Sequence, residues 1–209
     1  PVVSGNVSFY NQTKDQGIKP TPAIGGVGLI KHYKNMITMD LKEVDNLVLV
    51  IGKTEGHIDQ SLFARSILDE KNGPPPEVNL FNEKNNGESL LGLINKDYIQ
   101  SAHDISLGGL ITAISKMCIQ GNKGIKLKKA NNFVNELEYL FSEDQGRYII
   151  EIKPEDLKEV TNLLDKNSVH YDELGIITDK EMIINQKTKL TIDELKSYYT
   201  NWLTNYMSA

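Results

Sequence analysis

The sequence is poor in sulfur and indole chemistry, with one cysteine and one tryptophan in 209 residues. Cys118 lies between Met117 and Ile119 in an apolar run. That excludes an intrachain disulfide framework and marks a buried, inert thiol rather than a nucleophile. No apolar run approaches the ~18 residues of a membrane span, and no basic-then-apolar leader opens the chain. Positive charge is also short: 23 Lys and Arg against 28 Asp and Glu leave a net charge of -5. This balance argues against sequence-independent nucleic-acid binding as the main task and suits a cytoplasmic protein. No P-loop, kinase signature or nucleophile elbow is present. His32, His57 and His170 share no ligand spacing, which argues against a zinc site.

What is present is ordinary globular material, 39% hydrophobic and 24% charged, enough for one or two domains with a real core. The chain opens on Pro1-Val2-Val3 without an initiator Met, inside what reads as the end of a buried strand. Residue 1 is therefore expected to be an internal cut in a longer protein. Ser4-Gly5-Asn6 should bend sharply before Val7-Ser8-Phe9-Tyr10 resumes an extended path. Gln12 to Gly17 reads as a polar loop, Ile18 to Pro22 as stiff extended chain, Ala23 to Ile30 as a glycine-bearing strand and Asn35 to Met39 as a short strand. Gly25-Gly26-x-Gly28 lacks the dinucleotide-binding spacing and precedes no helix.

A domain boundary is expected near Lys42. Leu47-Val48-Leu49-Val50-Ile51 is a continuous aliphatic run, suited to a strand covered on both faces. Asp59 should cap a helix burying Leu62, Phe63, Ser66 and Ile67. After Asn72-Gly73-Pro74-Pro75-Pro76, a helix beginning at Glu77 should run to Ile94 with a soft point at Asn85-Asn86-Gly87. Tyr98 to Ala102 and Gly124 to Leu127 read as strands, Leu110 to Ile119 as a buried helix and Asn132 to Phe141 as another helix. Arg147 to Ile152 is a further strand, and Pro154-Glu155-Asp156 starts a helix with Leu157, Val160, Leu163 and Leu164 on one face. Leu174 to Ile177 should pair with Met182 to Ile184 around Thr178-Asp179-Lys180. A last helix, with an apolar stripe from Ile192 through Leu195, Tyr199, Trp202 and Leu203 to Tyr206, should pack the C-terminus down. The irregular alternation predicts an α+β fold, helices layered against a mixed sheet.

The opening stretch carries the most chemistry. Gly5 would let a phosphate approach the main chain, the Asn6 carbonyl is a hard oxygen suited to magnesium, and a Ser hydroxyl can donate to a substrate oxygen. A tight turn with self-bonding Ser and Asn accounts for the same residues. His103-Asp104 resembles a catalytic pair, but neighbours on a strand point to opposite faces, so a structural role is favoured. Ser106 is expected to cap the helix that follows it. Gly108-Gly109 would let that helix end approach a neighbour or an anion. Ser142-Glu143-Asp144-Gln145-Gly146-Arg147 reads as a charged turn with Arg147 paired to a local carboxylate.

Ser4-Gly5-Asn6-Val7-Ser8-x-Tyr10-Asn11, followed by Pro20 to Ile30, closely resembles the synthetase subunit of the phosphoribosylformylglycinamidine synthase family, also called formylglycinamide ribonucleotide amidotransferase. The resemblance continues through Leu47 to Gly52 with Thr54-x-Gly56, through His103-Asp104-Ile105-Ser106-x-Gly108-Gly109-Leu110 and through Phe141 to Tyr148. It ends on Trp202-Leu203-x-x-Tyr206-Met207. The His-Asp-x-Ser-x-Gly-Gly string is shared more widely, with aminoimidazole ribonucleotide synthetase. The resemblance implies the C-terminal A/B half of a PurM-like fold. Residues 1–42 would end the second ATP-binding A domain, and 43–209 would form the second B domain. It implies a carbon-nitrogen ligase of the fourth step of purine biosynthesis, which uses ATP and Mg2+ to convert formylglycinamide ribonucleotide with glutamine-derived ammonia.

On matching positions, Gly5 would contact ATP, Asn6 would ligate magnesium and Ser8 would contact the ribonucleotide. No catalytic residue falls in this stretch, so the piece alone is expected to be inactive. A glutaminase subunit and a small bridging subunit are the implied partners, with neither nucleic acid nor membrane among them. Two alternatives are a non-catalytic interaction domain holding the pseudo-dimer and a glutaminase, and another ATP-using relative such as selenophosphate synthetase or thiamine-phosphate kinase. The Ser8-x-Tyr10-Asn11 extension and the Trp202 ending argue against the latter.

Overall fold

A computed structural model describes residues 1–19, 21–128 and 135–208. Pro20 and the first positions of the helix expected from Asn132 lie outside the described residues. The chain divides into two units, 1–31 and 32–209.

In the first unit the expected polar loop is a small hairpin. β1 (Gln12–Thr13) pairs antiparallel with β2 (Gln16–Gly17) across a turn in which Lys14 adopts φ 55°. No strand forms at Pro1 to Val3 or Ala23 to Ile30, and no turn at Ser4-Gly5-Asn6. The reason is that a strand exists only through the ladder of a neighbour, and these residues pair with nothing among the described ones. Their apolar side chains, Val2, Val3, Phe9, Ile24, Val27 and Leu29 among them, are fully exposed.

The second unit is built on the aliphatic run. β3 (Leu47–Ile51) lies between β6 (Tyr148–Ile152) and β7 (Tyr171–Thr178), antiparallel to both. Among the described residues the sheet has seven strands, in the order β4-β6-β3-β7-β5-β8-β9. Here β4 is Ser101–Asp104, β5 Gly124–Leu127, β8 Glu181–Ile184 and β9 Thr188–Thr191. Among these strands β5 and β8 pair parallel and the other neighbours antiparallel.

Alternation along β3 explains the layering. Val48 and Val50 face one core with α3 (Gly109–Gly121) and α4 (Glu136–Phe141), while Leu49 and Ile51 face another with α2 (Leu80–Ile94) and α5 (Leu157–Lys166). Each such fully buried aliphatic side chain contributes about 1.5–3 kcal/mol. The fold is the expected α+β, a mixed sheet with helices on both faces. Cys118 is buried in the α3 core, and burial pushes its thiol up to about 12, consistent with an inert side chain.

Several boundaries move for local reasons. The first helix, α1 (Leu62–Ser66), is capped by Ser61, whose hydroxyl accepts from the Ala64 amide. Asp59 is not its cap; Ala64 is buried, while Leu62 and Ile67 are exposed. α2 starts at Leu80, because the Asn79 side chain caps it. It continues through the expected soft point, where the buried Asn86 donates to the Gly146 carbonyl at 2.9 Å. Asn35 to Met39 is not a strand; a 3-10 turn spans Tyr33–Asn35.

β7 and β8 do not pair, because β5 lies between them, with Ile125 opposite both Ile177 and Met182. Gly124 makes this possible, since a Cβ there would lie 2.2 Å from the Glu181 carbonyl oxygen. β8 instead forms a hairpin with β9 through Asn185 and Gln186, both at positive φ. The last helix, α6 (Ile192–Ser208), buries Ile192 fully and packs the half-buried Leu195 against the α3 core. Tyr199, Trp202, Leu203 and Tyr206 are exposed, so its distal half is not packed down as expected.

A single carboxylate fastens the segment before β3 to the sheet. Glu151 is fully buried in β6 and accepts from the amides of Lys42 at 2.9 Å and Glu43 at 3.1 Å, the Asn46 side chain at 2.7 Å and the Ser101 hydroxyl at 2.8 Å. Removing the acceptor leaves those donors buried without partners, at about 1–3 kcal/mol each where water cannot reach them. Glu151→Ala should therefore lower stability in urea unfolding by about 3–5 kcal/mol. Glu151→Gln, which keeps an acceptor oxygen, should cost less than half as much. Equal losses for the two would show that shape, not acceptance, is what Glu151 supplies.

Candidate functional site

The residues expected to touch ligand, Gly5, Asn6 and Ser8, lie close together in the first unit in a stretch without regular secondary structure, all exposed. A Cβ on Gly5 would meet nothing within 4 Å, and its φ is not positive, so nothing local demands glycine there. The Ser8 carbonyl accepts from the Asn11 side chain at 2.5 Å, which fixes the end of the motif. Among the described residues no cluster of three or more His, Cys, Asp or Glu could hold a metal ion. Asn6 thus offers one hard oxygen, not a complete cation site.

In the second unit, three loops that carry suggestive sequence meet at the Ser142 to Arg147 turn. The Asp144 carboxylate accepts the amides of Glu55, Gly56 and His57, each at 3.1 Å, so the Thr54-x-Gly56 loop wraps around it. One Glu143 oxygen accepts the Leu62 amide at the start of α1 and the Gly108 amide at the start of α3, both at 2.8 Å. Gly109, at φ 72°, brings α3 against the α4 exit, where a Cβ would lie 2.7 Å from Ser142 O. The carboxylate therefore occupies the place where the α3 N-terminus would favour an anion.

Arg147 is buried beneath the turn. It donates to the carbonyls of Asp144 at 3.2 Å and Ser142 at 2.7 Å and to the Thr54 hydroxyl at 3.1 Å. Asp144 Oδ2 lies 3.8 Å from the guanidinium, the local carboxylate the sequence led us to expect, though in a buried pair rather than a surface turn. Burial lowers the Arg147 pKa, while the charge of Asp144 pushes it back up.

His103 and Asp104 do meet, contrary to the opposite-face expectation. His103 Nδ1 and Asp104 Oδ1 are 2.9 Å apart, because Asp104 ends β4 and its side chain folds back. Burial raises the Asp104 pKa, but hydrogen bonds from Ser106 and His103 outweigh it and hold the carboxyl below its ordinary value. Ser106 is thereby occupied and does not cap α3. The N-cap is Gly108 at φ 86°, with only the Ser106 carbonyl accepting from Gly109. The Nε2 of His103 and the hydroxyl of Ser142 are buried with no hydrogen-bond partner among the described residues.

Beside this network lies a polar cavity of about 420 Å³, lined by Lys53, His57, Asn79, Asn82, Glu83 and Gln145 among others. Lys53 is paired with Glu55 at 2.7 Å, and His57 Nε2 lies 3.0 Å from the Pro74 carbonyl. The arrangement engages both oxygens of Asp144 and one oxygen of Glu143 with backbone amides. It is suited to holding loops rather than to transferring protons.

The sequence did not single out Glu143, Asp144 or Glu151 as amide acceptors. The available signals were an acidic pair at a helix-to-strand junction and a lone Glu inside Tyr148-Ile149-Ile150-Glu151-Ile152. Asp144→Ala would strand the Arg147 charge and release three amides, and should cost about 3–5 kcal/mol in thermal or urea unfolding. Glu143→Ala, at a less buried position, should cost about 1–2 kcal/mol. A smaller loss for Asp144→Ala than for Glu143→Ala would refute the role given to the buried pair.

Comparison with known proteins places this geometry. The PurL subunit of phosphoribosylformylglycinamidine synthase from Pelagibacter ubique is 72% identical over 207 residues, covering 99% of this chain and 28% of its own length. The Bartonella henselae PurL subunit is 39% identical over 207 residues, with the same coverage of 99% and 28%. The chain therefore spans somewhat over a quarter of the length of these curated relatives. Among solved structures, Thermotoga maritima PurL complexed with FGAR superposes with a TM-score of 0.63 at 16% identity, over 78% of this chain and 29% of that one. The same protein complexed with ATP gives a TM-score of 0.59 at 15% identity, over 78% and 27%. At such identities the likeness concerns the fold. A profile of the family described as AIR synthase related protein, C-terminal domain, matches residues 43–185, so over most of its length the chain belongs to that family.

Proposed function

We propose that the chain is the C-terminal portion of the synthetase subunit of a phosphoribosylformylglycinamidine synthase. The observation that carries this reading is the 72% identity to the Pelagibacter ubique PurL subunit across nearly every residue. In this reading residues 1–42 end the second A domain and 43–209 form the second B domain. The reaction joins ammonia to formylglycinamide ribonucleotide: the γ-phosphoryl group of ATP moves to the glycinamide carbonyl oxygen, and ammonia then attacks that carbon and expels phosphate, leaving the amidine and ADP with the formyl group intact. The oxygen must be phosphorylated first because it leaves poorly as an amide oxygen. Magnesium, when bound, offsets the charge of the phosphoryl groups.

Of this chain's residues, Gly5 gives the phosphates room at the main chain, Asn6 contributes one oxygen to a metal site completed by other residues, and Ser8 bonds the ribonucleotide. All three are exposed, and among the described residues the side chains of Asn6 and Ser8 make no hydrogen bond, Ser8 being held only through its carbonyl. Ammonia comes from glutamine through a glutaminase subunit, with a small bridging subunit in the assembly, in the cytoplasm. Among the described residues no helix is long and apolar enough to cross a membrane.

The B portion has a different task. Asp144 and one oxygen of Glu143 are engaged by amides of the same chain, which supports a structural role for its loops rather than substrate binding; in this reading the isolated chain, somewhat over a quarter of its relatives' length, is inactive. This accommodates the scaffold alternative within the ligase reading. The test is ATP-dependent conversion of formylglycinamide ribonucleotide, with ammonium as nitrogen source, by the longer synthetase containing this sequence. Turnover by the longer protein and none by the 209-residue chain is expected. Asn6→Ala in the longer protein should lower kcat/KM at limiting magnesium by about tenfold or more without a change in Tm. Undiminished turnover by that variant would remove Asn6 from the site, and turnover by the chain alone would overturn its assignment as an incomplete part.

A further inference from the structure

Two Asn-Gly dipeptides, Asn72-Gly73 and Asn86-Gly87, lie in contrasting settings. An asparagine followed by glycine is prone to attack on its own side chain, because the glycine nitrogen has no neighbouring Cβ to shield it. Asn86 is buried in α2 and donates to the Gly146 carbonyl at 2.9 Å, while the Gly87 nitrogen belongs to the helical ladder. A nitrogen committed to that ladder is not free to attack. Asn72 is exposed in the loop between α1 and α2, and among the described residues neither its side chain nor the Gly73 amide makes a hydrogen bond. Gly73 adopts φ 103°, and a Cβ there would lie 2.5 Å from Asp59 Oδ2. The loop therefore demands glycine beside Asn72 and keeps the nitrogen unshielded.

We propose that Asn72 is a site of spontaneous deamidation in the folded protein, at which the chain alters its own backbone. The Gly73 nitrogen gives up its proton and attacks Asn72 Cγ. A C–N bond closes a cyclic imide, the Cγ–Nδ2 bond breaks, and the amide nitrogen leaves as ammonia with that proton. Water then adds to either ring carbonyl and opens the ring, leaving aspartate or isoaspartate. Water is the sole co-reactant, and nothing is oxidised or reduced. In isoaspartate the main chain runs through the former Cβ and gains a methylene. The Gln60 side-chain amide donates to the carbonyls on either side of this point, Lys71 at 2.9 Å and Gly73 at 3.1 Å, so the longer chain cannot keep both bonds. The next carbonyl, Pro74 O, lies 3.0 Å from His57 Nε2, and Pro76, Glu77 and Asn79 line the polar cavity. Modification at Asn72 thus moves one wall of that cavity. Neither ligand nor turnover enters the step, so the proposal goes beyond the functional reading above.

The experiment is peptide mapping by mass spectrometry of the full-length protein containing this sequence, incubated folded at mildly alkaline pH and, in parallel, unfolded in urea. A glutamyl-specific protease cuts after Glu70, Glu77, Glu83 and Glu88, so peptides 71–77 and 84–88 carry the two dipeptides separately. A sample digested before incubation subtracts conversion caused by handling. In the folded protein, peptide 71–77 should gain about 1 Da and divide into separately eluting aspartate and isoaspartate forms. Its gain should be at least roughly tenfold faster than that of 84–88, and in urea, where α2 no longer protects Asn86, the two rates should agree within roughly threefold. Asn72→Gln should abolish the gain in 71–77 without a change in Tm, because the larger ring closes slowly. An intact Asn72 in the folded protein overturns the proposal, whether the loop's own conformation or another part of the polypeptide shields it. Folded-state conversion of 84–88 as fast as that of 71–77, or a gain in 71–77 undiminished by Asn72→Gln, also overturns it.

Discussion

The second unit depends on buried carboxylates that accept main-chain amides from distant loops. Asp144 gathers residues 55–57, Glu143 joins the starts of α1 and α3, and Glu151 fastens residues 42–46 to the sheet. These amides belong to no ladder or helix turn and would otherwise need water. Among the described residues only Asp144 has a cation close by, at 3.8 Å, so hydrogen bonding is the main compensation for burying these groups. The β-sheet supplies the hydrophobic stabilisation, and the carboxylates decide where the loops around it come to rest.

That arrangement bears directly on function. A helix N-terminus with glycines ahead of it is a natural anion site, and α3 has both. Here the anion is Glu143, supplied by the chain itself. The start of α3 is thus occupied from within the chain, whereas the side chains of Asn6 and Ser8, in the other unit, are exposed.

Much of the second unit was legible in the sequence because its signals are local. The Leu47 to Ile51 run gave a strand buried on both faces, and Pro154-Glu155-Asp156 gave the start of α5. What was not legible depends on distance. The insertion of β5 between β7 and β8 rests on the bare Cα of Gly124, which composition cannot distinguish from any other strand glycine. Glu143, Asp144 and Glu151 read as surface acids until their partners, about 35 to 109 positions away, are known. The opposite-face argument for His103 and Asp104 failed because a strand terminus frees the side chain to turn. The strands expected at the start of the chain failed for want of partners. For Gly5, Asn6 and Ser8, expected to contact ligand, the motif string itself carried the reading, since nothing in their local geometry distinguishes them from an ordinary exposed loop.

Native-state hydrogen exchange of the 209-residue chain tests the central claim most directly, because the amides of Lys42, Glu43, Glu55, Gly56, His57, Leu62 and Gly108 are each bonded to a buried or half-buried carboxylate. The account predicts protection of these loop amides approaching that of the β3 amides, as part of one cooperative unit. Exchange at the rate of an open loop, with β3 still protected, would contradict it and return the loops to ordinary solvated turns.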